Sequence, residues 1–209
     1  MEEHNSKSWA EAVFEVVSSC FDRDLLPKKR RDPEKIIAYH EAGHAVLDLY
    51  HGIPPEGATI IPNEQENTAG YVLKGWVKYG DLEGYYIETL ETWEEVDKFD
   101  PLLVLLSEAI SGMLSSFIYT GKLNIEGLGC DLDFCGDVIL SYGIHTLTDE
   151  MINTAANYTL TILMKNWDHV EKIAEDLIIH KTLDERYFQN LYKSTAFIRI
   201  DPVILLGNQ

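Results

Sequence analysis

The sequence is poor in cysteine and in basic residues, and both shortages exclude classes of protein. Its 3 cysteines are an odd number, which argues against a disulfide scaffold and fits a reducing compartment. Only 17 lysines and arginines stand against 35 acidic residues. The resulting net charge of −18 repels phosphate backbones, so we expect no nucleic-acid partner.

Long uncharged apolar runs are also missing. No such run reaches the roughly 18 residues that cross a bilayer, so no membrane span is expected. The first residues, MEEHNSKSW, lack the basic-then-apolar order of a secretory signal. With 209 residues, 45% of them hydrophobic, the chain is long enough for one sizeable core. We therefore expect a soluble, cytoplasmic globular protein.

Helical spacing of apolar residues recurs along most of the chain. Asp32-Pro33-Glu34 is typical of an N-cap, a first helical residue and a first-turn acid, and it predicts a helix that continues to His51 and ends at Gly52. Thr182-Leu-Asp-Glu185 has the form of a capping box and predicts a last helix through about Lys193. The other predicted helices cover 8–21, 101–121, a segment ending at Leu140, 148–166 and 168–180.

Two segments are rich in β-forming residues and bounded by turn residues: GATIIP at 57–62 and AGYVLKGWVKY at 69–79. They predict a small sheet. The fold class expected from these patterns is mainly α (α+β), with this sheet as the smaller part.

The helix of residues 33–51 contains a His-Glu-x-x-His pattern. His40 and His44 are one turn apart and share a face, with Glu41 beside them. Two imidazoles on successive turns suit a tetrahedral zinc ion, and the glutamate can reach a water on the metal and take its proton. Chance alone yields this pattern about 0.02 times in such a composition. The metal interpretation is therefore favoured over an ordinary polar stripe.

A catalytic zinc normally keeps three protein ligands and leaves its fourth position to water. The residues alone do not choose among Asp131, Asp133 and Asp137, each of which is otherwise explained as an N-cap or a solvated acid. That plainer explanation is favoured for Asp131. Asp48, one turn beyond His44, is either a partner that orients a histidine or a surface acid.

HEAGHAV at 40–46, with ATIIP at 58–62, resembles the peptidase domain of the FtsH-type zinc metalloproteases. SEAISGMLSSFIYTG (107–121) is similar to the central helix of that family, although Ser111, Gly112 and Met113 stand where the family has paired glycines and an arginine. GCDLD (129–133) is similar to its third-ligand segment, and KIAEDLIIHKTLDERYF (172–188) to its C-terminal helices.

The resemblance implies a zinc site made of His40, His44 and Asp133, with Glu41 as the general base. With those ligands, Cys130 and Cys135 are interpreted as small, semi-buried residues rather than as ligands. The resemblance also implies that the sheet lies beside the metal-binding helix. Its segment Thr59, Ile60 and Ile61 would be an edge strand that binds an extended peptide by main-chain hydrogen bonds.

The chain is expected to have three parts, of which the resemblance covers the second. Residues 1–31 form an N-terminal amphipathic helix and basic linker, residues 32–195 an FtsH-like peptidase domain, and residues 196–209 a C-terminal tail. Within the domain, 70–100 is an acidic insertion, with eight acidic residues and one lysine between 81 and 100. This insertion is either a lid or subunit contact, or a solvated hairpin.

The function expected from this organisation is a Zn²⁺-dependent endopeptidase that acts on unfolded or flexible polypeptides. No G-x-x-x-x-G-K-[ST] motif occurs, so a separate ATPase or adaptor is a possible partner, and homo-oligomerisation is possible. One alternative is a catalytically silent metal-binding scaffold, which the presence of Glu41 disfavours. Another is a hydrolase of non-peptide amides, which would have a closed pocket.

Overall fold

The computed structural model describes residues 32–63, 65, 68–73, 101–123, 131 and 147–198, together with Phe14. In these ranges the protein is mainly helical with a small three-stranded antiparallel sheet, which confirms the predicted fold class. The helices are α1 (Pro33–His51), α2 (Pro101–Thr120), α3 (Asp149–Lys165), α4 (Trp167–His180) and α5 (Glu185–Ser194), and the strands are β1 (Gly57–Thr59), β2 (Tyr71–Leu73) and β3 (Thr182–Asp184).

Helix α1 has the ends that its sequence predicts. The Asp32 side chain accepts a hydrogen bond from the backbone N–H of Glu34, and Pro33 occupies the first helical position, where its missing N–H costs nothing. At the other end Gly52 adopts φ 86°, and its N–H bonds to the last carbonyls of the helix. These local signals fix α1 independently of its packing.

Packing makes α1 the centre of the fold. Every residue from Glu41 to His51 is buried, because α2, α4 and the sheet all pack against this helix. The apolar spacing of α1 predicts only a single core-facing stripe. The histidine face is therefore not a solvent face: it is covered by a neighbouring helix.

Close approach of α1 and α2 depends on Gly43. A Cβ atom at Gly43 would lie 2.5 Å from Ser115 Cβ and 2.7 Å from the Ser111 carbonyl oxygen, closer than real Cβ atoms come. Ser115 Oγ also donates a hydrogen bond to the Tyr39 carbonyl across the same contact. The small residues of HEAGHA thus allow the backbone of α2 to pack closely against α1, the helix that carries the two histidines.

Helix α2 is the most apolar helix described. Among the described residues, one segment, Leu103–Thr120, is long and apolar enough to cross a membrane, and 83% of it is buried inside the fold. Within the fold it packs against α1 and α3 as a core helix.

The sheet has the strand order β2-β1-β3, with both pairs antiparallel. Its third strand comes from the segment that the sequence assigns to a capping box. The predicted last helix is present as α5 and ends within one residue of Lys193, but its predicted cap was wrong. Thr182 pairs with Thr59 in the sheet, and the N-cap of α5 is Asp184, whose side chain accepts from the N–H of Tyr187. Pairing with β1 takes Thr182–Asp184 into the sheet, so the helix begins at Glu185, two residues later than a cap at Thr182 predicts.

Several predicted features lie outside the described residues: the helix at 8–21 apart from Phe14, the basic linker, most of the acidic insertion, most of the segment between 124 and 146, and the end of the tail. At the start of the predicted tail, Phe197 is buried, and Ile198 hydrogen-bonds to the Asn166 side chain through both its N–H and its carbonyl.

Candidate metal centre

Three side chains from two parts of the chain converge on one point. His40 Nε2 and His44 Nε2 on α1 lie 3.2 Å apart, and Asp131 Oδ2 lies 3.2 Å from the first and 3.4 Å from the second. Among the described residues, His40, His44 and Asp131 form a group that could hold a metal ion. Their atoms form a nearly equilateral triangle.

The size of this triangle fits zinc. Ligand atoms placed tetrahedrally at 2.0–2.1 Å from a zinc ion are separated by about 3.3–3.4 Å. The three observed separations, 3.2, 3.2 and 3.4 Å, agree with that spacing. Two imidazoles and one carboxylate are also a donor set that zinc uses in catalytic sites. The site therefore fits a zinc ion with three protein ligands and a fourth position left for water.

Electrostatics couple the same three groups. Burial alone would lower the pKa of His40, but the hydrogen bond and the charge of Asp131 outweigh burial and raise this pKa to about 9. For Asp131, burial acts in the upward direction, and the nearby His44 and His40 overcome it, so the pKa of this carboxyl falls well below its usual range. The carboxylate is thus held ionised beside the imidazoles, as a metal ligand must be.

His44 is oriented from behind by α2. Its Nδ1 lies 2.9 Å from the Glu108 carbonyl oxygen and 2.9 Å from Ser111 Oγ. A ring nitrogen that faces a carbonyl must carry a proton, so the other nitrogen, Nε2, presents its lone pair to the triangle. Asp48 is fully buried, which excludes its interpretation as a surface acid.

Glu41 is a residue of α1 and lies where this helix meets the sheet. It is 5% exposed, and a Cβ atom at Gly70 would lie 2.9 Å from Glu41 Oε1 and 2.7 Å from the Thr59 carbonyl oxygen. The carboxylate is therefore next to the start of β2 and to the end of β1. A glycine at position 70 keeps that space open.

The carboxylate found beside the two histidines belongs to Asp131, whereas the resemblance implies Asp133. Asp131 joins the two histidines, so its interpretation as an N-cap or solvated acid does not hold. Asp133 lies outside the described residues, and its assignment stays a prediction. Cys130, Cys135 and Asp137 lie outside them as well.

A signal for Asp131 is present in the sequence. The spacing of a glycine followed by an aspartate four residues later occurs twice, as Gly127–Asp131 and as Gly129–Asp133. The small residue after Gly129 favours the second alignment. The first alignment, which begins at Gly127, ends at Asp131, the residue that lies beside the histidines.

The predicted edge strand is in the middle of the sheet. Thr59 pairs with Tyr71 on one side and with Thr182 on the other, and the N–H of Ile60 donates to the Lys181 carbonyl. The prediction that this segment offers a free edge was wrong, because β3 occupies it. Ile61 follows the strand and is 55% exposed. A role of these three residues in substrate binding stays a prediction.

The chain is similar in sequence to a known zinc metalloprotease. Over 175 residues the chain is 30% identical to the ATP-dependent zinc metalloprotease FtsH of Sulfurovum sp. (strain NBC37-1), a match that covers 78% of this chain and 24% of that protein. The chain thus spans about a quarter of the length of the curated relative it matches. No profile of a known protein family matches it. The similarity supports an FtsH-related chain.

Proposed function

We propose that the chain is a zinc-dependent endopeptidase of the FtsH type that hydrolyses unfolded or flexible polypeptides. The observation that carries this proposal is the triangle of His40, His44 and Asp131, whose edges fit tetrahedral zinc. The similarity to a zinc metalloprotease supports it independently. The site suits a hydrolase, since the three ligands leave one coordination position for water.

A zinc ion held by these residues would polarise a peptide carbonyl and make its water acidic enough to ionise near neutral pH. Glu41 would take a proton from the attacking water as the water oxygen adds to the carbonyl carbon. Glu41 then gives the proton to the departing amine as the carbon–nitrogen bond breaks. Burial of Glu41 within α1 supports both transfers, because it excludes competing solvent.

The substrate is proposed to be an extended peptide aligned on the outer edge of β2. Strand β1 is flanked on both sides, whereas β2 is one of the two outer strands of the sheet that the described residues form. Gly70, directly before β2, lies against Glu41, so a peptide on this edge would pass the general base. Tyr71 and Leu73 project exposed apolar side chains from the strand. Main-chain pairing of this kind accepts many sequences, which suits unfolded substrates.

Localisation and partners belong to the same proposal. The three cysteines and the reducing environment they indicate support a cytoplasmic protein. A separate ATPase or adaptor that delivers substrate, and homo-oligomerisation, stay predictions.

The decisive experiment compares wild type with Glu41→Gln. Both proteins are purified without added zinc, analysed for metal content, and assayed for cleavage of a dye-labelled unfolded casein. We expect about one zinc per chain in both, with cleavage only in wild type. Zinc without cleavage in the wild type would favour the silent scaffold instead. Cleavage that survives in Glu41→Gln would remove Glu41 from the mechanism.

A further inference from the structure

A buried serine lies behind the metal-binding face of His44. Ser111 is fully buried on α2, and its Oγ lies 2.9 Å from His44 Nδ1 and 2.8 Å from the Glu108 carbonyl oxygen. The same carbonyl lies 2.9 Å from His44 Nδ1. The three atoms form a closed triangle on the side of the imidazole that points away from Asp131.

Hydrogen-bond chemistry permits one consistent arrangement of protons in this triangle. The carbonyl oxygen of Glu108 only accepts, so the Ser111 hydroxyl donates its single proton to that oxygen. The hydroxyl oxygen is then free to accept from His44. The Nδ1 proton of His44 is therefore shared between two acceptors, the Ser111 hydroxyl and the Glu108 carbonyl.

We infer that Ser111 is a positioning residue, which together with the Glu108 carbonyl holds the His44 ring in the orientation that directs the Nε2 lone pair at the metal. Ser111 stands where the FtsH resemblance places a glycine, so its hydroxyl is a feature of this chain. A glycine would leave the carbonyl as the only partner of Nδ1 in this triangle. The inference rests on the proposed metal centre and adds a determinant of its affinity.

Helix α2 provides a matched control. Ser116 is also buried, and its hydroxyl donates to the carbonyl three residues earlier, that of Met113. Ser111 and Ser116 thus make the same local helix bond, but the bond to a metal-binding imidazole is described for Ser111. Replacing each by alanine removes the same chemical group from the same helix.

The test measures zinc affinity by competition with a chromophoric chelator for wild type, Ser111→Ala and Ser116→Ala. We expect Ser111→Ala to bind zinc about tenfold more weakly, which is the lower end for the loss of an orienting partner because the Glu108 carbonyl remains. Ser116→Ala is expected to bind within about twofold of wild type. Equal affinities in all three proteins would overturn the role of Ser111.

Nitrogen-15 NMR of the metal-free proteins gives a readout that does not depend on zinc. We expect the His44 ring to carry its proton on Nδ1 in all three proteins, because the Glu108 carbonyl accepts that proton in each. The Nδ1 resonance should move in Ser111→Ala alone, where this proton loses its second acceptor. Identical ring shifts in the three proteins would contradict the inference. A wild type that keeps the Nδ1 tautomer but binds no zinc would instead refute the proposed function, so the two failures are distinguishable.

Discussion

Gly112 on α2 lies directly against His44 on α1. A Cβ atom at Gly112 would lie 2.5 Å from Nε2 of His44 and 2.5 Å from Nε2 of His40. These two nitrogens are the atoms that form the metal triangle with Asp131. The glycine therefore provides the space in which both imidazoles approach the same point.

Gly112→Ala should separate metal binding from folding. Alanine favours a helix over glycine by up to about 1 kcal/mol, so we expect little change in the thermal midpoint of the metal-free protein. The two rings can avoid the added methyl group only by leaving the triangle. Zinc affinity, measured by chelator competition, should fall by about 100-fold or more.

The contrasting variant is Gly43→Ala, whose methyl group would meet the backbone of Ser111 rather than a mobile ring. We expect this overpacking to destabilise the fold by about 1–3 kcal/mol, as measured by urea unfolding. A Gly112→Ala protein that binds zinc like wild type would show that the rings do not need this space.

A pair of asparagine variants distinguishes the two candidate third ligands. Asp131→Asn should lower zinc affinity by two orders of magnitude or more, because a neutral amide replaces an ionised ligand. Asp133→Asn should leave the affinity within a few-fold of wild type. Isothermal titration of both variants with zinc is the measurement, and the reverse pattern would assign the site to Asp133, as the resemblance implies.

Zinc affinity should rise with pH. In the metal-free protein the pKa of His40 is raised to about 9, and a ligating imidazole must be neutral, so binding displaces this proton. Below pH 9 we therefore expect the affinity to fall by about tenfold for each unit of decreasing pH. Competition titrations at pH 6.5, 7.25 and 8.0 measure the slope. An affinity independent of pH across this range would mean that His40 is already neutral.

Removal of zinc should destabilise the protein. At a free zinc concentration 100 times the Kd, binding stabilises the folded state by about 2.7 kcal/mol. For a chain of this size, that corresponds to a loss of roughly 5–10 °C in Tm when a chelator is added. Differential scanning calorimetry measures the shift, and added zinc should reverse it. The double variant His40→Ala, His44→Ala serves as the control. If a chelator lowered the Tm of that variant by the same amount, the stabilising metal would be bound at another site.

Elements fixed by local chemistry could be predicted from the sequence. Helix α1 begins at Pro33 and ends at His51 as expected, because an aspartate cap and a left-handed glycine determine its ends. The pairing of His40 with His44 also follows from helix geometry alone, since residues four apart share a face. These predictions needed no knowledge of distant parts of the chain.

Features that depend on long-range pairing could not be predicted in the same way. Thr182 carries a cap-like signal, but pairing with Thr59, 123 residues away, takes it into the sheet. That pairing also makes β1 a central strand. The candidate third ligand is equally non-local. The residues alone leave Asp131, Asp133 and Asp137 open, and Asp131 is recognised by its position beside His40 in the folded chain.

X-ray absorption at the zinc edge tests the central claim most directly, because it reports the atoms around the metal in the purified wild-type protein. The account predicts one zinc per chain with four nitrogen or oxygen neighbours at about 2.0–2.2 Å, including the multiple scattering of two imidazoles. A sulfur neighbour at about 2.3 Å would indicate a cysteine ligand. That result, or a spectrum without imidazole, would contradict a centre built from His40, His44 and a carboxylate.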